Sequence, residues 1–137
     1  MDEHTMRLGE GQTLRIVSST PEALEVESIW TGSAKKPTRH FHPRQDERFE
    51  VRTGQLTVEL NAEPPRVLRP GDTLDVPRGT VHRMWNTGPD RASALWRVTP
   101  GLRTEEMFRF IDQGMSPLRV ATLLWTYRRE FRLGLRR

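Results

Sequence analysis

Hydrophobic and polar residues alternate in short runs from Gln12 to about Pro100. Turn-forming residues interrupt these runs at intervals of about 8 to 12 residues, a pattern typical of a β-sandwich or β-barrel. We predict eight strands, at residues 12–18, 23–30, 37–42, 47–52, 55–61, 72–76, 81–86 and 92–99. The sequence therefore predicts an all-β core in which alternate side chains face a common interior.

The period of the pattern changes after Pro100. Thr104, with two glutamates directly after it, has the character of a helix start, and Gly114 is a natural helix stop. Apolar residues between them recur at helical spacing. We predict a first helix over about 103–113.

A second helix is predicted over about 116–132. Ser116 is a preferred cap residue, and the proline that follows it suits the first helical position. Leu124, Tyr127 and Phe131 then recur at helical spacing along one face. Both helices therefore carry an apolar face that needs to be buried.

The length of 137 residues suits one domain with a single apolar core. We assign residues 1–100 to the barrel and residues 101–137 to a C-terminal helical extension, which we expect to pack on the barrel or across a dimer interface. The hydrophobic share of 34%, the charged share of 29% and the four tryptophans are those of a folded globule. Because the chain has no cysteine, disulfides and thiolate metal sites are excluded.

The net charge of +4 is concentrated at the C-terminal end, where residues 116–137 carry six arginines and a single acidic residue, Glu130. Such a tail could bind nucleic acid or an anionic membrane, or it could cap the barrel and leave its charges in water. Its apolar stripe favours the cap, so we expect neither a nucleic-acid nor a membrane partner. The acidic N-terminus is unlike a secretory signal, and we expect a cytoplasmic protein.

Three histidines and one glutamate are placed so that they can converge. His40 and His42 lie two apart in a predicted strand and therefore face the same side. Glu47 begins the inward face of the next strand, and His82 opens another strand after a Pro-Arg-Gly turn. The remaining histidine, His4, lies near the N-terminus, where we expect no ligand role.

The spacing of these residues resembles the two motifs of the cupin family. The stretch His40-x-His42-x4-Glu47-x6-Gly54 is similar to the first motif. The second motif is matched at each of its five positions by one stretch, Gly71-x5-Pro77-x-Gly79-x2-His82-x3-Asn86. One position departs from the family, because Ala34 stands where a glycine is usual. The glycines and Asn86 are best explained as turn residues.

The resemblance implies a small jelly-roll barrel of the RmlC-like type, commonly dimeric, with His40, His42, Glu47 and His82 as ligands of one divalent transition metal ion. Three imidazoles and a carboxylate suit Fe, Mn, Ni, Co, Cu or Zn, and the sequence does not choose among them. Strand alternation also predicts side chains that line the interior beside the ion, although aromatic residues there could be core packing alone. These pocket residues are Phe49, Met84, Trp30 and Trp96.

Two functions follow from this site. In the first, the protein is a metal-dependent enzyme acting on a small molecule, with dioxygenation the leading reaction, isomerisation or decarboxylation as alternatives, and Glu47 as a catalytic proton acceptor. In the second, the barrel is a binding or sensing module that holds a small ligand or metal without turnover. The fold alone does not decide between them, because one fold hosts many functions. We also expect a homodimer.

Overall fold

Our description rests on a computed structural model, which describes residues 5–9, 11–32 and 35–134. Within these ranges the chain forms eleven strands and two helices. The strands are β1 (Thr5–Arg7), β2 (Gln12–Ser19), β3 (Leu24–Trp30), β4 (His40–Phe41), β5 (Asp46–Thr53), β6 (Leu56–Leu60), β7 (Arg66–Leu68), β8 (Thr73–Val76), β9 (His82–Trp85), β10 (Ala92–Thr99) and β11 (Arg132–Leu133). The helices are α1 (Thr104–Asp112) and α2 (Pro117–Thr126).

The strands form two antiparallel sheets. The larger sheet has the order β1-β2-β3-β10-β5-β8, and the smaller has the order β11-β4-β9-β6-β7. Apolar side chains from both sheets join one buried cluster, which the helices extend. This arrangement confirms the predicted all-β jelly roll with a short helical extension at its C-terminal end.

Alternation along β5 shows how the sequence builds the interior. Glu47, Phe49 and Val51 are buried, whereas Arg48 and Arg52 are exposed. A carboxylate therefore shares the inward face with apolar residues, as the pattern predicts. Burying a lone carboxylate is costly, so Glu47 needs charged or hydrogen-bonding partners inside the barrel.

Seven of the eight predicted strands agree with the structure to within one residue at each end. The exception is the segment 37–42, in which only His40 and Phe41 form a strand. Pro37 has no N–H to donate to a ladder, which helps to explain the shorter strand. The sequence pattern missed β1, β7 and β11, because strands of two or three residues are too short to show alternation.

Helix α1 lies within the predicted range and carries Glu105 and Glu106 in its first turn. In α2, the Ser116 hydroxyl accepts a hydrogen bond from the Arg119 N–H, 3.2 Å away, which is the predicted cap. Neither helix has the length and apolar character needed to cross a membrane, and this holds for the described part of the chain.

The prediction that α2 continues to residue 132 is wrong. The helix ends at Thr126, and the chain then turns so that the N–H groups of Glu130 and Phe131 both donate to the Tyr127 carbonyl, at 2.9 Å. Arg132 and Leu133 pair with β4 as a short strand. Strand pairing and burial of Phe131 against the barrel interior replace the last helical turns.

Candidate metal centre

The three motif histidines meet on the smaller sheet. His40 in β4 pairs directly with His82 in β9, and His42 follows β4 by one residue. The ring centroids of His40 lie 4.5 Å from those of His82 and 5.0 Å from those of His42. One ligand atom from each of the three side chains lies within 4.8 Å of the others. This cluster could hold a metal ion.

Each imidazole is oriented by a backbone carbonyl at its Nδ1 atom. The distances are 3.3 Å from His40 to the Thr38 oxygen, 2.9 Å from His82 to the Thr80 oxygen and 2.7 Å from His42 to the Glu130 oxygen. Because a carbonyl can only accept, Nδ1 must carry the proton in each ring. The Nε2 atom of each ring is then the one with a lone pair free for a metal.

Glu47 lies between two of the histidines. Its Oε2 atom is 3.2 Å from His42 Nε2, and its Oε1 atom is 2.9 Å from His82 Nε2. Trp96 donates from its indole Nε1 to Oε2 over 2.9 Å. Glu47 is 3% exposed, so these contacts act in a water-poor environment.

The pKa values of the site follow from burial and close charges. Burial lowers the pKa of His40 to about 3, and repulsion from His82 and His42 acts in the same direction. Burial also disfavours the charged forms of His42 and Glu47, but attraction between the two overcomes it, raising the pKa of His42 and lowering that of Glu47. His40 is thus neutral and Glu47 anionic near pH 7, the forms that bind metal.

The residues fit a divalent transition metal ion. His42 Nε2 and Glu47 Oε1 are buried, and neither has a hydrogen-bond partner among the described residues. With the ring protons on Nδ1, each Nε2 atom is an acceptor, as the carboxylate oxygens are. Buried polar atoms of this kind need an explanation, and a bound cation supplies one. Three imidazole nitrogens with a carboxylate oxygen form a suitable donor set.

A cavity of about 450 Å³ adjoins these side chains. All four residues predicted to line the interior lie on its wall, namely Phe49, Met84, Trp30 and Trp96. Phe49 and Trp96 stack at a centroid distance of 5.4 Å, so both also contribute to core packing. These two residues therefore line the cavity and also pack in the core, which are the two interpretations that the sequence left open.

The helical extension supplies a second part of the wall that the sequence analysis did not identify. Met107 and Phe108 come from α1, Leu123 and Leu124 from α2, and Phe131 follows α2. Helical spacing marks Leu124 and Phe131 as apolar, but spacing alone does not show what they contact. Nothing in the sequence indicates the role of the Glu130 carbonyl, because every residue carries a backbone carbonyl.

The other motif residues shape the backbone. The Asn86 side chain donates to the carbonyls of Thr31 and Asp90, at 3.2 and 2.7 Å, and accepts from the Gly88 N–H at 2.9 Å. These contacts fit the predicted turn role of Asn86. Ala34, the departure from the first motif, and His4 lie outside the described residues.

Residues 25–98 match the family model described as the cupin domain, which is more than half of the chain. The chain belongs to the cupin family. Among solved structures, this cupin is similar to KdgF from Halomonas sp., with 30% identity and a TM-score of 0.64 over 70% of this chain and 86% of that one. Oxalate oxidase shares the fold, at 22% identity and a TM-score of 0.56 over 66% of this chain and 51% of that chain.

Curated relatives of this cupin include proteins named oxidoreductases. One, from Arthrobotrys oligospora, is 48% identical over 56 residues, which are 40% of this chain and 22% of that protein. The chain covers less than half the length of the curated relatives it matches. The similarity therefore concerns only part of each of those proteins.

Proposed function

We propose that this cupin is a metal-dependent enzyme that acts on a small molecule, with dioxygenation as its leading reaction and isomerisation or decarboxylation as alternatives. The observation that carries the proposal is the cluster of three Nε2 atoms with a buried carboxylate, set at the wall of an apolar cavity. The oxidoreductase names of several relatives support the choice of oxygen chemistry.

His40, His42, His82 and Glu47 would hold one divalent ion, whose identity the donor set leaves open among Fe, Mn, Ni, Co, Cu and Zn. Such an ion, when bound, polarises a chelating oxygen and can supply redox chemistry. The four side chains already share the interior, so little reorganisation is needed to bring them together.

Glu47 is the residue we assign to proton transfer. Trp96 holds Oε2 with a hydrogen bond of 2.9 Å, whereas Oε1 has no hydrogen-bond partner among the described residues. We therefore assign Oε1 to the ion and, when it is not bound to the ion, to accepting a proton from a bound substrate. Its burial keeps water from competing for that role.

The wall of the cavity indicates the class of substrate. Among the residues that the structure places on it, none is a lysine or an arginine, and most are apolar. Aromatic or aliphatic molecules with a chelating hydroxyl, carbonyl or carboxylate group fit such a wall, because few polar groups are present to orient anything else. Phosphorylated sugars fit poorly, since the described part of the wall offers no lysine or arginine to pair with a phosphate.

The test is to load the protein anaerobically with ferrous, manganous, nickel or cupric ion and to offer flavonols, diketones, thiols and hydroxy acids. Oxygen uptake and product mass are then followed for the wild type and for His82→Ala. His4→Ala serves as the control, because it removes a histidine that neither motif contains. We expect turnover in the wild type and the control, and none in His82→Ala.

Two results would contradict the proposal. Tight binding of several compounds without turnover under any metal would favour the binding or sensing module. Turnover that persists in His82→Ala would place the chemistry elsewhere in the molecule.

A further inference from the structure

We propose that residues 130–134, which we name the C-terminal clasp, are a positioning element of the metal centre. Through this clasp the main chain of Glu130 would fix the ring of His42, and Phe131 would fix the ring of His40. The inference rests on the proposed function in one respect, namely that the histidine cluster holds a metal ion.

The first link is the hydrogen bond between His42 and the clasp. His42 Nδ1 lies 2.7 Å from the Glu130 carbonyl oxygen, the shortest of the three contacts that orient the histidines. The two residues are 88 positions apart, so the orientation of this ring depends on where the C-terminal segment docks. The partners of ligand histidines set ring orientation and ligand basicity.

The second link anchors that carbonyl. The Glu130 carboxylate is buried and accepts from the Arg103 N–H at 3.1 Å and from Arg103 Nε at 3.4 Å. Arg103 also donates to the Thr126 carbonyl and lies over the Tyr127 ring at 5.1 Å. One arginine at the start of α1 therefore ties the end of α2 and the clasp together.

The third link is Phe131. Its ring stacks on His40 at a centroid distance of 4.9 Å and an interplanar angle of 22°. Next to it, Leu133 of β11 is the register partner of His40, and the Gly134 N–H donates to the Arg39 carbonyl at 2.9 Å. The His40 ring thus contacts both Phe131 and His82.

A simple cover for the barrel would not need these features. Apolar side chains alone can close a cavity, whereas burying Glu130 carries a desolvation cost that its ion pair with Arg103 has to offset. The buried pair does fix the backbone at one position, and at that position the carbonyl meets His42. Positioning of the His42 ring gives a reason for the desolvation cost of burying Glu130.

The test compares Arg103→Ala with Arg109→Ala in the full-length protein. Arg109 also pairs with a glutamate from α1, Glu105, but among the described residues it forms no hydrogen bond, ion pair or ring contact with the clasp. Cobaltous ion is the probe, with its dissociation constant taken from competition with a chelator and its coordination from the visible absorption spectrum. We expect Arg103→Ala to weaken cobalt binding about 10- to 100-fold and to alter the spectrum, as loss of an outer partner does. Arg109→Ala should match the wild type.

A second pair keeps the test decisive if Arg103→Ala does not fold. Phe131→Ala should weaken cobalt binding about tenfold, the lower end of the effect of outer partners. Phe110→Ala is its control, because this ring packs on Tyr127 and Arg119 and forms no ring contact with the histidines among the described residues. Thermal unfolding of the metal-free variants separates loss of stability from loss of metal affinity.

The outcomes are distinguishable. Clasp variants that lose stability but keep the wild-type cobalt affinity and spectrum would overturn the inference and leave the proposed function standing. A wild-type protein that binds no cobalt and no other divalent ion would overturn both. Clasp variants that weaken binding more than their controls would support the inference.

Discussion

Glu47 illustrates how a single buried side chain organises the site. Its carboxylate contacts His42 and His82 and accepts from the Trp96 indole, and these partners offset the cost of removing the charge from water. A carboxylate held in this way stays ionised, because attraction to His42 holds its pKa below the usual value despite burial. The residue therefore needs no metal to be anionic, only its neighbours.

Substitution of a single motif histidine should abolish tight metal binding. His40→Ala, His42→Ala and His82→Ala each remove one nitrogen that the interior cannot replace, so we expect affinity to fall by more than about 100-fold, beyond the effect of losing an outer partner. Glu47→Gln should weaken binding less, since the amide keeps one oxygen. Isothermal titration with a divalent ion measures this. Equal affinity in the wild type and the triple histidine variant would refute the metal centre.

The Trp96 hydrogen bond should contribute measurably to stability. Trp96→Phe removes the donor to Glu47 and retains an aromatic ring beside Phe49. We expect the free energy of unfolding to fall by about 1.5–3 kcal/mol, the range for hydrogen bonds to charged groups. Urea denaturation gives the value, with Trp125→Phe as the control, because Trp125 is 69% exposed. An equal, small change in both variants would show that the hydrogen bond contributes little.

At the residue scale, the sequence predicts the convergence of the four motif residues and does not predict what surrounds them. Residues two apart in a predicted strand share a face, so His40 and His42 could be paired from spacing alone, although the strand itself ends at Phe41. The contacts of Glu130 and Phe131 with these rings arise only when a distant segment docks. No local pattern encodes a contact made by a backbone carbonyl.

At the scale of elements, long alternating strands are predictable and segment ends are less so. The bounds of β10 agree with the prediction because turn residues precede Ala92 and a proline follows Thr99, so both ends are marked in the sequence. The sequence predicts the end of α2 too late, because Tyr127 and Phe131 continue the apolar spacing of a helix, whereas the helix itself ends at Thr126. After Thr126 the chain instead leads to a strand that pairs with β4. The local sequence does not reveal this pairing, because β4 lies far away along the chain.

The turn between β5 and β6 offers a test of whether its backbone conformation and close packing require a glycine. Gly54 has a φ of +69°, and an added Cβ would lie 2.5 Å from the Arg91 carbonyl oxygen. Gly71 has a φ of +93°, but nothing lies within 4 Å of its added Cβ. Gly71→Ala should therefore cost only the left-handed strain of about 1–2 kcal/mol. Gly54→Ala should cost about 1–3 kcal/mol more because of the clash.

Urea denaturation of the two glycine variants measures the difference. Because both glycines adopt a positive φ, Gly71→Ala is the matched control for strain without overlap. If the two substitutions lowered the free energy of unfolding by the same amount, the close approach to Arg91 would be unimportant to stability.

At the scale of the whole molecule, the extension completes the cavity. The two sheets supply most of the histidine cluster and one wall, and the helices with the clasp supply much of the remainder, including Met107, Phe108 and Leu123. Gln45 ties the parts together, since its side-chain amide donates to Pro100, Gly101 and Thr104. The basic outer side of the extension, in contrast, is left to solvent, as Arg128 and Arg129 show.

Deletion of residues 103–137 should therefore cause aggregation. The truncated barrel would expose the apolar wall around Phe49 and Trp96, lose the strand that covers β4, and leave the Gln45 amide without Thr104. Light scattering after gel filtration measures the size of the particles, with deletion of residues 135–137 alone as the control for shortening the chain. The same measurement on the full chain tests the predicted homodimer. A truncated protein that stays soluble, monomeric and as stable as the full chain would show that the barrel closes without its extension, and that the cavity wall contributed by the helices is dispensable for folding.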